Sequence, residues 1–462
     1  MPIDDLLRRA LLPLLVVVAC LTWLLGGATT DATAADEWLA LLALPLLLAA
    51  AGVLMAQDVD DTLQQMALVA TAAALAVPLL QLLPLPEGLW RMSPARADIL
   101  PELAAAGIQA PSLRGTLSPS AAEHALWRLL PALAIFLGTL ALASRQRAVL
   151  VRLLLAIIGA NVLFAFFQAG LPQDSTLCLY PAAGAGFGGL LANTNHQATA
   201  LILGMVLAVG QAVHARRRAQ ADRAPPQAWL WPAAFAAACF LLIPLTTSRA
   251  GMVLALPALA LALLLTGAIR WRRGRAGAKG LAGLAVAVLL LVIGIRAALG
   301  WMAVDQAEES RHLMTAGTLE AAAEQAPWGS GAGSFVRVFE QATPANRMQD
   351  VYVNHAHNEF VQWWLEAGVP GLLVLAFALG VLVVAGVRVL RIRGQDGHAI
   401  LAAACFVGIA AVLAHSAADY PLRTIALMAT TAALAGLMLG ALADAGRQIR
   451  TPAVSDAAMR QA

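Results

Sequence analysis

Apolar runs of about 20 residues recur along the whole chain, and no other feature restricts its fold so strongly. They fall at roughly 8–26, 37–56, 63–83, 122–143, 148–169, 190–213, 228–246, 250–269, 280–299, 368–390, 399–416 and 422–443. A helix needs about 20 residues to cross the hydrocarbon core, and lipid offers no partner to an exposed backbone N–H or C=O. The expected fold is an all-α polytopic membrane protein with about 12 transmembrane helices. Composition agrees, with 60% of residues hydrophobic and 12% charged, against about a quarter charged in a soluble domain. The run at 8–26 follows Arg8 and Arg9 and precedes "ATAAD", as in a signal peptide, and is read as a retained anchor.

Arginine orients the spans. Lys279 is the one lysine, and the arginines gather in "SRQR" (144–147), "ARRRAQADR" (215–223), "RWRRGRAGAK" (270–279), "RVLRIR" (388–393) and at Arg447 and Arg450. Positive loops stay cytoplasmic, so both termini are expected inside and the chain is expected in the bacterial inner membrane. The alternate connections then face the periplasm, and the longest is 300–367. This gives three regions: transmembrane helices 1–9 over 1–299, a large periplasmic loop over 300–367 containing short helices, and helices 10–12 with a short tail over 368–462. Cys20, Cys178, Cys239 and Cys405 are scattered, which predicts neither a disulfide framework nor a cysteine metal site.

The polar motifs fall in the outward connections. "DQAEESRHLMTAGTLEAAAEQAP" (305–327) reads as a helix stopped by Pro327, and "WGSGAGSF" (328–335) either as a loop whose backbone approaches a ligand, loosely like a phosphate cradle, or as a turn that folds the loop back on the membrane. In "NHAHNEFVQWWLEAGVPG" (354–371), His355, His357 and Glu359 alternate. An extended backbone would point all three to one side, as a metal site requires. As the first turns of a helix they would diverge, with His357, Val361 and Trp364 on one face. The helix is preferred, capped by Asn354 or Asn358, and no metal is expected. A histidine at the membrane surface is also suited to take a proton from a hydroxyl near neutral pH. "TTSRAG" (246–251) sets Arg249 between two spans, where a guanidinium either snorkels to headgroups or grips phosphate. "LLANTNHQAT" (190–199) and "HSAADYPLRT" (415–424) add Asn195, His196, His415, Asp419, Tyr420 and Arg423. "DVDD" (58–61) offers an Asp-x-Asp pair but falls on the cytoplasmic side without a basic companion, and reads as a solvated connector.

The His-Asn, nine residues, Gly-x-x-Gly pattern of His357, Asn358, Gly368 and Gly371 resembles the O-antigen ligase / Wzy polymerase family. "SRAG", "PWGSGAGSF" and "HSAADYPLRT" stand around it in similar order, and the likeness runs from about 185 to 425. It implies a GT-C-like lipid-dependent glycosyltransferase, metal-independent, inverting and without cofactor. The implied donor is a glycan on undecaprenyl diphosphate, transferred whole to a glycan or lipid A-core acceptor among membrane lipids. A chain-length regulator is a further implied partner, and nucleic acid is not. The resemblance makes His357 the general base and Arg249 a diphosphate clamp, with Arg311, Arg423, Asn195, His196, Asn358 and Asp419 binding substrate. One departure is that 179–195 carries no arginine ahead of the Asn, where many ligases of the family have one. A polymerase is therefore favoured over a ligase, also because the outward loops hold more carboxylates than arginines, which would repel a phosphorylated lipid A-core. A lipid-linked sugar transporter is the alternative from another class; it predicts internal repeats and mid-membrane polar sites, and neither shows in the sequence.

Overall fold

The computed structural model describes residues 3–30, 33–57, 59–97, 99–108, 113–172, 175–180, 186–269, 306–344 and 352–450. The expected span at 280–299 lies outside the described residues. The principal helices are α1 (Ile3–Leu25), α2 (Ala34–Met55), α3 (Thr62–Gln81), α4 (Pro119–Ala141), α5 (Ser144–Ala169), α6 (Thr194–Gln220), α7 (Leu230–Leu242), α8 (Arg249–Leu265), α9 (Gln306–Gln325), α10 (Phe335–Ala342), α11 (Glu359–Arg391), α12 (Gly397–His415) and α13 (Ile425–Arg450). Among the described residues, nine are long and apolar enough to cross a membrane, namely α1–α6 and α11–α13, while α7 and α8 are shorter apolar helices. No strand occurs among them. The chain is an all-α polytopic membrane protein.

Hydrophobic patterning decides which helices sit inside. In α6 every residue from His196 to Gly210 is buried, which fits a helix that is apolar on all sides. It packs against α5, α7, α8 and α12, and α13 lies beyond between α4 and α12. Small residues permit close approach: a Cβ at Gly210 would fall 2.9 Å from that of Ala404. Helix α1 is part of this core, with Leu11, Leu15 and Trp23 buried. The Trp23 Nε1–H donates to Thr430 Oγ1 at 3.0 Å.

The two ends of the bundle differ in chemistry. One collects Arg147, Arg217, Arg388, Arg393 and Asp444 and is called here the arginine end. The expectation for Asp61 is corrected at this end. Its Oδ1 caps α3 by accepting from the N–H groups of Leu63 and Gln64, and Arg388 Nη1 donates to both carboxylate oxygens at 3.0 and 2.7 Å. The basic companion comes from α11, over 300 residues away in sequence, where no local reading finds it.

The opposite, histidine end carries the long connections. Helices α9 and α10 form a second small core around Met314, Ala322, Phe335, Phe339, Ala356 and Leu365, joined by Leu117 and Trp364. The glycine turn at 328–334 is wedged between this core and α11, as the fold-back reading expects. Ser330 N and Gly331 N donate to Leu365 O and Glu366 O at 2.8 and 2.9 Å. Arg96, fully buried in the 84–121 connection, donates through one Nη2 to Gly115 O and Gly329 O at 2.7 and 2.6 Å. Gly368 breaks α11 into two arms, with φ 59° and ψ −155°. A Cβ there would meet Pro327 O at 2.3 Å and Gly329 N at 2.5 Å, so only glycine fits. Pro370 then opens the second arm, where its missing N–H is harmless. The kink separates a short arm, Glu359–Ala367, from the apolar span that follows.

Candidate active site

The short arm of α11 is fixed to the connection between α12 and α13 by one carboxylate. Glu359 N donates to Ser416 O at 2.9 Å, Ser416 Oγ donates to Glu359 Oε2 at 3.1 Å, and Leu422 N donates to Glu359 Oε1 at 2.5 Å. Asn358 is the N-cap, its Oδ1 accepting from Phe360 N and Val361 N at 3.1 and 3.2 Å. A cap residue is extended, so the chain must turn sharply just before it. His357 makes that turn with φ 51°, a conformation uncommon outside glycine. The expectation that His357 rides on the helix with Val361 and Trp364 is therefore corrected. It precedes the helix, and the turn aims its ring across the interface instead of along the arm.

The target of that ring is Asp419. His357 Nδ1 lies 3.4 Å from Asp419 Oδ1, and the carboxylate side chain is 1% exposed. Asp419 N donates to His415 O at 2.9 Å, and Tyr420 N donates to Asp419 Oδ1 at 2.9 Å. Burial pushes the Asp419 carboxyl up, but the contact from His357 and the surrounding imidazoles outweigh it and hold it well below the usual carboxylate range. It is ionised at neutral pH. His196, buried in the first turn of α6, brings Nε2 to 3.9 Å from the same oxygen, while its Nδ1 meets Thr424 Oγ1 at 2.6 Å. His415 ends α12, with Nδ1 2.7 Å from Thr199 Oγ1.

Tyr420 is the hub of the cluster. Its ring centroid lies 4.3 Å from that of His355, 4.9 Å from His357 and 5.0 Å from His196. Burial and the Asp419 charge push its hydroxyl up to about 12, so it stays a hydrogen-bond donor. His355 is committed elsewhere: its Nε2 lies 3.2 Å from Thr29 O, and Gln362 Nε2 donates to its Nδ1 at 3.2 Å. Burial, then Arg423 and Arg128, hold its imidazole well below its ordinary value. His355 and Glu359 thus face other partners, and no group of three His, Cys, Asp or Glu suited to a metal occurs among the described residues.

Four buried atoms around the aspartate make no well-formed hydrogen bond among the described residues: His196 Nε2, His415 Nε2, Asp419 Oδ2 and His357 Nδ1, whose contact with Asp419 Oδ1 is long at 3.4 Å. Leaving such an atom unmatched costs roughly 1–3 kcal/mol. Native cores rarely tolerate one, and a group of four marks a site built for something besides stability.

A second tier of charge supports the first. Arg423 Nη1 pairs with Glu366 Oε2 at 2.9 Å, Gln362 Nε2 donates to Glu366 Oε1 at 3.1 Å, and Arg128 Nη2 donates to Arg423 O at 2.7 Å. Arg128 Nε lies 3.5 Å from Asp36 Oδ2. Asp36, Arg128, Gln362 and Glu366 were not singled out by the sequence reading. A signal existed for Arg128, which stands inside an apolar run where a charge needs a partner.

The remaining expected residues occupy the same end. Arg249 follows the N-cap Ser248 in the first turn of α8. Two residues on, a Cβ at Gly251 would fall 2.5 Å from that of Ala198, so this turn packs on α6 beside His196 and Thr199. Arg311, early in α9, is near enough for its charge to act on His415. Asn195 is half-buried, and its carbonyl accepts from Thr199 Oγ1 at 3.2 Å.

Residues 234–376 match the family described as O-Antigen ligase. The match spans less than a third of the chain. No curated protein matches the chain. The O-antigen ligase match includes Arg249, Arg311, His357, Asn358, Gly368 and Gly371, whereas Asn195, His196, Asp419, Tyr420 and Arg423 lie outside it. The tertiary fold unites the two sets.

Proposed function

We propose that this protein is an inverting, metal-independent glycosyltransferase that moves a glycan from undecaprenyl diphosphate to an acceptor hydroxyl at the periplasmic face, as a polysaccharide polymerase. The supporting observation is the His357–Asp419 contact inside a cluster of unmatched polar atoms, at the end of the bundle that also holds Arg249 and Arg311. The ionised Asp419 holds the His357 proton on Nδ1 and presents a basic Nε2 to the acceptor. The acceptor oxygen attacks the anomeric carbon, its proton passes to Nε2, and the sugar–phosphate bond breaks. Arg249 and Arg311 balance the charge that grows on the departing diphosphate. Arg423 and Asn358 position the acceptor side, and Asn195 and His196 the donor side. The rule of positive cytoplasmic loops supports the orientation, with the arginine end inside.

Purified protein given a lipid-linked oligosaccharide should form longer products, and chelator should leave the rate unchanged. Absence of transfer to any acceptor sinks the enzyme reading, and chelator inhibition sinks the metal-free one. The ligase reading is favoured by the description of the matched family. A deletion strain separates the two: single-repeat glycans indicate a lost polymerase, and bare lipid A-core beside intact polymer indicates a lost ligase.

A further inference from the structure

A cavity of about 570 Å³ opens at the arginine end between α5, α6 and α12. Its mouth is set by Arg152 of α5 and Arg218 of α6, both exposed, together with His398 of α12. Its walls offer accessible apolar surface from Ala148, Ala215 and Leu401 beside the polar Gln211 and His214, and Trp231 stands exposed at the rim. We propose that this cleft binds the phosphate headgroup of an anionic phospholipid.

The charges in and behind the cleft favour an anion. Arg147 also lines it but is already paired with Asp444 at 2.6 Å. Asp396, the acid at the rim, accepts from Ala399 N at 2.8 Å as the cap of α12, which offsets its charge against the helix N-terminus. Arg218 Nη2 donates to Arg223 O at 3.2 Å, one of the five N–H donors a guanidinium carries. Arg152 and Arg218 come from adjacent spans and line the same cleft, and each guanidinium can donate two parallel N–H groups to one phosphate.

The walls select the source of the phosphate. Inorganic phosphate gains nothing from Ala148, Ala215, Leu401 and Trp231, whereas the glycerol and first acyl carbons of a lipid bury against them. The rim indole suits the interface between headgroups and hydrocarbon. The cleft lies at the opposite end of the bundle from His357, so the inference stands whatever reaction the histidine end performs.

Native mass spectrometry of the full chain in a nonionic detergent tests this with three probes: phosphatidylglycerol, phosphatidylcholine and inorganic phosphate. Phosphatidylglycerol should be retained in preference to phosphatidylcholine, and inorganic phosphate should not displace it. Arg152→Ala with Arg218→Ala should weaken retention about 30-fold, taking about 1 kcal/mol per arginine near a headgroup. Arg145→Ala removes one charge from the same end but outside the cleft, and should bind as wild type. Equal retention of both lipids, displacement by phosphate, an unchanged double variant or an equal loss in Arg145→Ala each overturns the proposal. The lipid comparison on wild type decides the matter even where the double variant unfolds.

Discussion

Two aspartates, Asp419 buried and Asp444 half-buried, stand at opposite ends of α13, meet basic partners and use them in opposite ways. Asp419 stands just before the helix and Asp444 within its last turns, so the helix rise sets them about 30 Å apart, close to the thickness of a hydrocarbon core. Asp444 is clamped by guanidinium groups: Arg147 at 2.6 Å and Arg447 beside it, with His398 Nδ1 at 3.7 Å. Gly440 makes room, since a Cβ there would fall 2.5 Å from Arg147 Cζ. Arginine keeps its charge at any ordinary pH, and both oxygens of Asp444 are matched. Asp419 faces the imidazoles of His357 and His196, and its Oδ2 is unmatched among the described residues. A carboxylate among guanidiniums fixes two helices, and a carboxylate among imidazoles is, in the proposed reaction, the group that orients the base.

The sharpest way to break this comparison is to remove the proton acceptor. His357→Ala should lower the transfer rate about 1000-fold, within the range for general-base catalysis, while thermal unfolding stays near wild type. Arg249→Ala should follow closely. A near-normal rate in either variant removes its assigned role.

Exchanging the two aspartates for asparagine should then give opposite outcomes. Asp419→Asn should lower the rate about 100-fold, because the His357 ring loses the carboxylate that orients it. Asp444→Asn should leave the rate within about twofold but lower stability by roughly 3 kcal/mol, since Arg147 is left buried without its partner. Equal effects of the two variants on rate would erase the distinction.

Gly368→Ala should cost about 1–3 kcal/mol in stability and lower the rate as well, because the short arm that leads to His357 is displaced. Normal activity would show that the kink does not position the histidine.

The smallest effect is a slope with pH. His355 has a folded value well below its ordinary one, so the unfolded chain binds a proton that the folded chain refuses. Stability should therefore be complete above about pH 6.5 and fall as pH drops below it, at no more than about 1.4 kcal/mol per pH unit for one proton. His355→Gln should flatten that slope, and an unchanged slope would assign the proton to another group.

Much of this molecule is legible in one dimension. The eleven described apolar helices match expected runs, because a span is specified by local hydrophobicity and length. The cap at Asn358, the helix ending before Pro327 and the fold-back at Gly329–Gly333 were also readable, since caps, prolines and glycines act within a few residues. The Asp61–Arg388 pair and the Asp36–Arg128–Glu366–Arg423 tier were not, because their members are separated by tens to hundreds of residues. The position of His357 was misjudged by a single residue. Once the cap falls at 358, the preceding residue leaves the helix and its ring changes direction entirely.

The sequence by itself determined that this chain is a bundle of membrane helices, which residue types gather at each end, and which glycine spacing marks the family. Only the tertiary structure decided that His357 meets Asp419 and that His355 and Glu359 turn to other partners. The physical reason is the range of the forces involved. Hydrophobic length and backbone preference are written locally along the chain. A carboxylate chooses its imidazole only after the helices have packed and water has been excluded from between them.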